Sequence, residues 1–255
     1  MSAADVAAGD AASWLAVIPV AAVEQHGAHL PLATDAAIGA GLLAQALAAM
    51  PPELPVTALP MVTVGSSGEH AGFAGTLSLE PDTLRRVLAE IGFSVVSAGV
   101  RRVLFINSHG GNSPVLDLAI QTLRERHPVL AAATSWGRFG MPEGLVDADE
   151  LAFGIHGGLV ETALMLHFRP ELVRMEKATN AASLQAELAR DFTHLRAYGA
   201  VRFGWKAADL NPAGVVGDAP RATAAIGAAI AAHQAAGFVT LCREMLAFDP
   251  GRLAE

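Results

Sequence analysis

Residues 18–35 constrain this chain most, because an apolar run there is followed at once by several side chains that can bind metal. The segment reads IPVAAVEQHGAHLPLATD and carries Glu24, His26 and Asp35 close together. Its apolar start is typical of the end of a buried strand. In an extended chain, side chains two positions apart point the same way, so Glu24 and His26 can face one point. We therefore predict that this segment supplies half of a metal centre.

Asp35 stands at the boundary between that segment and an apolar run over residues 36–50. The run has helical periodicity and stops at Pro51 and Pro52, which cannot continue a helix. A carboxylate at the start of a helix can accept hydrogen bonds from free backbone N–H groups and is stabilised by the helix dipole. Asp35 is therefore expected to cap this helix and to reach back toward a cation.

The rest of the chain alternates short apolar runs with helical patterns. Strands are predicted over residues 14–20, 56–64, 103–107 and 128–134, helices over 36–50, 83–99, 114–126, 157–168, 181–198 and 222–248, and longer loops over 137–155 and 204–220. Strands that alternate with helices form a parallel sheet covered by helices. The sequence therefore predicts an α/β layered protein with a mostly parallel sheet, organised as one domain, with a break of the last helix near Gly237.

Composition argues against several classes of protein. The net charge of -8 argues against nucleic acid or an anionic membrane surface as a partner. The sequence has neither the basic and apolar regions of a signal peptide nor the roughly 18 uninterrupted apolar residues of a membrane span. Cys242 is the only cysteine, which excludes an intrachain disulfide and a cysteine-based zinc site. We expect a soluble cytoplasmic protein.

Polar clusters follow three of the predicted strands. These clusters are Glu24 with His26, Glu69 with His70, and Ser108 with His109. In open α/β sheets, ligands bind at the carboxyl ends of the strands. A single histidine is more often structural than functional, but clusters at three strand ends favour a shared site.

His109 is followed by Gly110, Gly111 and Asn112. The two glycines allow the backbone to come close to a bound group, and Asn112 can cap the helix that follows. An ordinary turn histidine is the alternative. We favour a functional role for His109.

His156 and Glu161 form a further pair at the start of a predicted helix. Glu161 lies within an otherwise apolar helical face, where a buried carboxylate without a partner is costly. A cation is a natural partner for that carboxylate. A solvated helix face is the alternative interpretation.

Glu69 and His70 could orient metal ligands from behind, as outer carboxylates and imidazoles commonly do. An exposed loop pair explains them about equally well. Trp136 lies beside a loop, so it can belong to the core, to an interface or to a pocket wall. The other histidines are interpreted as structural or surface residues, namely His29, His127, His167, His194 and His233.

Mixed carboxylate and imidazole ligands suit zinc, manganese or iron better than calcium or copper. Five candidate ligands with a shareable carboxylate fit two divalent metal ions about 3.5–4 Å apart. A serine nucleophile is less favoured, because residues 65–68 read GSSG and do not form the G-x-S-x-G turn. The sequence also has no Walker A motif and no G-x-G-x-x-G motif in the right context.

Five ordered motifs resemble the creatininase (creatinine amidohydrolase) family. They are VEQHGAHLPLATD, EHAGFAGTLSL, NSHGGN, HGGLVETALML and GVVGDAPRAT, and together they cover most of the chain from about residue 17 to 230. The HGGN form is similar to branches of the family other than creatininase itself. The resemblance implies a three-layer αβα sandwich over residues 1–255, a dinuclear divalent metal centre of zinc, manganese or iron, hydrolysis of an amide, and assembly as a homohexamer.

The resemblance also implies roles for individual residues. Glu24, Asp35 and His109 would hold one metal, and His26 with the bridging Asp35 would hold the second. His156 would be the general acid or base that passes a proton to the leaving nitrogen.

One position departs from creatininase itself, which has a glutamate ligand where this chain has Gly111. Glu161 is expected to complete the second metal site instead. The loop before His156 also lacks the tryptophan that closes the creatinine pocket, with Phe153 the nearest aromatic residue, while Trp136 matches the other pocket tryptophan. Creatinine is therefore not the expected substrate.

The favoured function is a metal-dependent amidohydrolase that cleaves a C–N bond of a small cyclic amide, a formamide or a short peptide. A metal-dependent, ring-opening hydrolase of a sugar-like ketone is the second candidate. A non-catalytic oligomer that only binds a metal or ligand is the third.

Overall fold

The computed structural model describes residues 1–254 of the chain. The helices are α1 (Ala3–Ala8), α2 (Thr34–Ala48), α3 (Pro81–Ser97), α4 (Ser113–Arg126), α5 (Ala148–Phe153), α6 (Leu159–Phe168), α7 (Leu184–Asp191), α8 (Ala207–Leu210) and α9 (Ala224–Ala247). The strands are β1 (Leu15–Val20), β2 (Val56–Ala58), β3 (Arg102–Asn107), β4 (Leu130–Ser135), β5 (Asn180–Ala181) and β6 (Gly217–Asp218). Short 3-10 turns connect several of these elements.

A parallel sheet forms the centre of the fold, with the strand order β2-β1-β3-β4. In its register, Val17 of β1 lies opposite Leu104 of β3, and Leu104 lies opposite Ala132 of β4. Because the strands run the same way, their carboxyl ends share one edge of the sheet, and the loops after β1 and β3 meet there. Strands β5 and β6 form a separate antiparallel pair.

Side-chain alternation along the strands builds one core on each face of the sheet. Val17 and Leu104 pack into the core that α2, α6 and α9 cover. Ile18 and Phe105, one position further on, pack into the core that α3 and α4 cover. The period of two residues in a strand therefore produces the helix, sheet and helix layers. The predicted α/β fold with three αβα layers is confirmed, while its organisation as one domain stays a prediction.

Helix α9 is long and apolar enough, by length and composition alone, to cross a membrane. In this fold it packs against α6 and α2 and buries Ile230, Phe238 and Cys242 in the core. The predicted break near Gly237 is wrong, since the helix is continuous through that residue. A Cβ atom on Gly237 would come within 2.9 Å of Phe139, so the glycine lets that ring lie against the helix.

Four predicted segments differ from the structure. The loop expected over residues 204–220 contains α8 and β6. The strand expected over residues 56–64 ends at Ala58, and beyond Pro60 only Val62 makes an isolated bridge to β1. The loop expected over residues 137–155 contains α5, which the side chain of Asp147 caps.

The helix expected over residues 181–198 spans only Leu184–Asp191. The chain turns back after it because the Gln185 side chain accepts a hydrogen bond from the Ala197 N–H at 2.8 Å and donates one to the Tyr198 carbonyl at 3.2 Å. One buried amide side chain thus replaces the last two turns of the expected helix.

Candidate metal centre

Two loops and one helix bring a first group of ligand atoms together at the carboxyl ends of β1 and β3. Glu24 follows β1, Asp35 lies in the first turn of α2, and His109 follows β3. The Nδ1 atom of His109 lies 3.2 Å from Oε1 of Glu24 and 3.4 Å from Oδ2 of Asp35. Two carboxylates and one imidazole of this kind could hold a metal ion.

Asp35 also faces a second group of ligand atoms. Its Oδ1 atom lies 3.4 Å from Nε2 of His26, and Oε2 of Glu161 lies 3.7 Å from the same nitrogen. The two oxygens of Asp35 therefore face two different imidazoles, as a bridging carboxylate requires. The expected helix cap is wrong, since α2 begins after Ala33 and no side chain caps it.

Burial makes the polar atoms of this cluster unusual. Glu24 and His26 are fully buried, and Asp35 is 2% exposed. Both carboxylate oxygens of Glu24, Nε2 of His26 and Oδ2 of Asp35 have no hydrogen-bond partner within the described residues. Buried carboxylates without partners are strongly unfavourable, so these atoms fit a site built to surround cations.

The tautomers of both imidazoles support the same conclusion. Nδ1 of His26 lies 3.1 Å from the carbonyl of Glu24, and Nε2 of His109 lies 3.0 Å from the carbonyl of Ser66. A carbonyl only accepts, so these nitrogens carry the protons and donate them. In the neutral ring, which is the form that binds a metal, the other nitrogen directs a lone pair at the carboxylates.

The pKa shifts in the cluster indicate that its buried carboxylates stabilise positive charge. Burial works against a charged imidazole, but the neighbouring carboxylates, Asp35 above all, raise the pKa of His26 to about 9. Burial alone would raise the pKa of Asp35, but His26 and His109 hold it well below its usual range. Burial also raises the pKa of Glu161 to about 7. Protons held at these positions mark where a cation would be stabilised.

His156 lies beside these ligands and is close enough to form two further possible metal-binding groups, one with His26 and Glu161 and one with Glu24 and His70. Its Nε2 atom donates to the carbonyl of Gln25 at 2.8 Å, which leaves Nδ1 free and 3.6 Å from Oε1 of Glu24. Its ring centroid is 4.2 Å from that of His26 and 4.3 Å from that of His70. Burial and these two imidazoles lower the pKa of His156 well below its usual value. A neutral imidazole with a free nitrogen can accept a proton at neutral pH.

Glu69 and His70 lie directly behind the ligands. Nε2 of His70 is 3.2 Å from Oε1 of Glu24, and Oε1 of Glu69 is 3.4 Å from Nε2 of His109. Both side chains therefore contact a candidate ligand, and His70 is buried. An exposed loop pair does not describe this geometry.

Gly111 makes room for this arrangement. A Cβ atom there would lie 2.5 Å from Nε2 of His109 and 2.6 Å from the carbonyl of Ser66, and it would also collide with Oε1 of Glu69. A larger residue at this position is therefore incompatible with the observed place of the Glu69 carboxylate. The glutamate that the sequence offers as a replacement, Glu161, lies near His26 rather than near His109.

Asn112 stabilises the loops of the site rather than capping a helix. It occupies the position before α4, but its side chain makes no capping hydrogen bond. Its Oδ1 atom accepts from the Ser66 N–H at 2.9 Å, and its Nδ2 atom donates to the carbonyl of Ala21 at 3.0 Å. Asn112 thus ties the 65–68 loop to the segment that leaves β1, because an amide side chain offers both donor and acceptor.

Trp136 is 4% exposed and belongs to the hydrophobic core. Its ring lies 5.1 Å from that of Phe238 and 6.1 Å from that of Phe139, measured between centroids. These contacts assign the ring to packing between β4 and α9, and they give no support to a role in a substrate pocket. His29, interpreted as structural, is buried and bonded to Thr162.

Sequence reasoning missed Gln25 and Glu150. The Gln25 amide lies 2.9 Å from Nδ1 of His70 and donates to the carbonyl of Gly214 at 2.6 Å. Its position between Glu24 and His26 was the available signal. Glu150 is a buried carboxylate in a stretch expected to be loop, and nothing in its sequence neighbourhood distinguishes it from a surface acid.

Comparison with known proteins agrees with this geometry. Residues 1–242 match the family model described as creatininase, creatinine amidohydrolase. A mycofactocin precursor peptide peptidase of Mycolicibacterium smegmatis is 35% identical over 228 residues, covering 88% of this chain and 82% of the relative. A creatinine amidohydrolase of Pseudomonas putida is 29% identical over 191 residues, covering 69% of this chain and 72% of the relative.

Solved structures of creatininases share the fold. A structure titled creatininase Mn has a TM-score of 0.74 at 24% identity, covering 96% of this chain and 95% of the other. A mutant creatininase of Zn-Zn type has a TM-score of 0.74 at 24% identity, covering 96% and 94%. The match of the family model over nearly the whole chain shows that this protein belongs to the creatininase family of amidohydrolases.

Proposed function

We propose that this chain is a dinuclear, divalent-metal-dependent amidohydrolase that cleaves a C–N bond in a short peptide or a small amide. One observation carries the proposal. The two oxygens of the buried Asp35 lie 3.4 Å from His26 and 3.4 Å from His109, which are held in the metal-binding tautomer. A buried carboxylate between two such imidazoles fits a bridge between two cations.

We assign two ligand sets on the premise that His156 stays free for proton transfer, although its ring also lies close enough to His26 and Glu161 to share an ion with them. Glu24, Asp35 and His109 would hold one cation, and His26, Asp35 and Glu161 the other. Carboxylate and imidazole donors suit zinc, manganese or iron, and creatininases of known structure include a manganese form and a zinc form. When bound, such a pair supplies an acidified water and polarises the amide carbonyl.

His156 is proposed to move the proton in this reaction. Its Nδ1 atom is free and faces the cluster, while the hydrogen bond from Nε2 to the carbonyl of Gln25 fixes the ring. Because burial and the neighbouring imidazoles lower the pKa of His156, the ring is neutral at pH 7 with Nδ1 unprotonated. The proton that it accepts there would come from the water that the cations acidify as that water attacks the amide. The ring can then donate that proton to the leaving nitrogen, since an amine leaves readily only when protonated.

The substrate class is proposed from the relatives. The more similar ones, at 35–36% identity, are named for peptidase activity on a precursor peptide, and the creatinine amidohydrolase is 29% identical. We therefore place the amide bond of a short peptide first, before a small cyclic amide or a formamide. A ring-opening hydrolase of a sugar-like ketone has no such support, and membership of a family of hydrolases favours an enzyme over a non-catalytic binder.

Assembly as a homohexamer in the cytoplasm belongs to the same proposal. The support for this part is the resemblance to the creatininase family, because the exposed apolar side chains, among them Leu118, Phe192 and Val201, lie on separate segments. Size-exclusion chromatography with light scattering tests the number of subunits directly.

The activity is tested with metal-loaded protein and a panel of short peptides, lactams and formamides. The proposal predicts hydrolysis of a member of this panel, loss of that hydrolysis after a chelator is added, and recovery after zinc or manganese is restored. Hydrolysis that survives complete chelation would refute the metal-dependent mechanism.

The His156→Ala variant tests the proton-transfer role. We expect turnover to fall by about 10²–10⁴ fold while metal content is unchanged, because a general acid or base is lost without loss of a ligand. His233→Ala is the matched control, since His233 is exposed on α9. Loss of metal from His156→Ala would show that His156 is a ligand instead.

A further inference from the structure

Glu150 is a buried carboxylate outside the ligand cluster. It lies in α5 with 7% exposure. Its Oε1 atom accepts from the N–H of Leu159 at 2.7 Å, and its Oε2 atom accepts from the N–H of Asp218 at 2.8 Å. Leu159 is the first residue of α6, and the N–H groups of the first helical turn have no partner within the helix. One side chain therefore joins three elements, namely α5, α6 and β6.

Three glycines from two segments surround this carboxylate. A Cβ atom on Gly158 would lie 2.5 Å from Oε1 of Glu150, and one on Gly217 would lie 2.6 Å from it. A Cβ atom on Gly154 would also collide with the same group. Any larger residue at these three positions would collide with the Glu150 carboxylate. The backbone is therefore shaped to enclose this side chain, which an ordinary surface carboxylate would not require.

The segment held in this way carries the site residues. His156 lies between Gly154 and Gly158, and its carbonyl accepts from the Val216 N–H at 2.8 Å. Glu161 lies in the first turn of α6 and accepts from the Gly157 N–H at 2.6 Å. Glu150 is bonded to the residue that begins this helix and to the strand residue two positions after Val216.

We infer that Glu150 is a positioning residue that fixes the backbone of residues 154–159, and through it the His156 ring, for proton transfer. The inference rests on the proposed role of His156. One charge-assisted hydrogen bond from this carboxylate holds Leu159 at the end of the segment, and the second ties the same carboxylate to Asp218 of β6. Misplacing a proton-transfer group by a fraction of an ångström lowers turnover without removing a contact to substrate.

The Glu150→Gln variant tests this role with little change in size. Its amide retains one acceptor oxygen but turns an NH₂ group toward the other backbone N–H, so one of the two hydrogen bonds is lost. Asp149→Asn is the matched control, since Asp149 is the neighbouring acid on the same helix and is exposed. Metal content, kcat, KM and hydrogen exchange at the Leu159, Val216 and Asp218 amides are measured in the unmodified protein and in each variant.

We expect Glu150→Gln to lower kcat by about 10–100 fold, the range seen when an outer partner of a site residue is removed. KM and metal content should stay unchanged, and exchange at the three amides should accelerate by about tenfold. Asp149→Asn should match the unmodified protein. Glu150→Asp should not restore kcat, because the shorter side chain cannot reach both N–H groups.

A kcat of Glu150→Gln within twofold of the unmodified protein would overturn the positioning role, and so would a fall in kcat that only mirrors lost metal. These results differ from failure of the proposed function, in which the unmodified, metal-loaded protein itself shows no hydrolysis. The exchange rates report on the anchored segment in either case.

Discussion

Replacing Asp35 by asparagine removes the group on which both proposed metal sites depend. The carboxylate is 2% exposed, and its two oxygens lie 3.4 Å from His26 and from His109. An asparagine has the same shape but only one neutral oxygen, so it cannot bridge two cations. We expect metal content to fall from about two ions per chain to well below one.

The magnitude follows from the coupling of binding to folding. A cation held at a free concentration of a hundred times its dissociation constant stabilises the folded state by about 2.7 kcal/mol. Two such sites therefore contribute about 5 kcal/mol of unfolding free energy. For a chain of 255 residues, this amounts to a Tm difference on the order of 10–20 °C between metal-loaded and chelated protein. The Asp35→Asn variant should show almost none of it.

Differential scanning calorimetry with and without a chelator measures this difference, and elemental analysis gives the metal content. Asp82→Asn is the control, since Asp82 is also an aspartate in the first turn of a helix but is exposed and paired with Arg85 and Arg86. The control should lose its metal-dependent stability on chelation as the unmodified protein does. An Asp35→Asn variant that retains two ions per chain would refute the bridging role.

Two further predictions concern the glycine beside His109 and the single tyrosine. Gly111→Ala should lower the free energy of unfolding by about 1–3 kcal/mol and reduce metal content, because the added Cβ atom would crowd the loop that carries His109. The control is Gly110→Ala, which should leave thermal melts nearly unchanged because there is open space around its Cβ position. Burial raises the pKa of Tyr198 to about 12, and this is the only tyrosine, so absorbance at the tyrosinate band should titrate near that value in folded protein. The stability linked to this hydroxyl is fully present below its ordinary pKa of about 10 and is lost as pH rises through 12; a midpoint near 10 in folded protein would contradict it.

The fold was predictable where local pattern and global structure agree. The strand β3 is an apolar run of residues that alternate between two cores, and such runs between helical segments leave few topologies open. The grouping of Glu24, Asp35 and His109 was predictable for the same reason, because parallel strands end at one edge of the sheet.

The remaining parts of the site depend on contacts between distant segments. Asn112 occupies a capping position, yet its side chain bonds to Ser66 and Ala21 instead. Glu150 acts on Asp218, 68 positions away. Neither partner is visible in a local pattern, because side-chain hydrogen bonds to distant backbone groups are set by the assembled fold. The position of Trp136 was equally unpredictable from the local sequence, because its ring is buried by Phe238 of the distant helix α9.

Anomalous X-ray diffraction at the absorption edge of the bound metal tests the central claim most directly. Crystals of the zinc- or manganese-loaded protein should show two anomalous peaks about 3.5–4 Å apart, one among Glu24, Asp35 and His109 and the other among His26, Asp35 and Glu161. A single peak, or peaks away from Asp35, would contradict the two-cation centre.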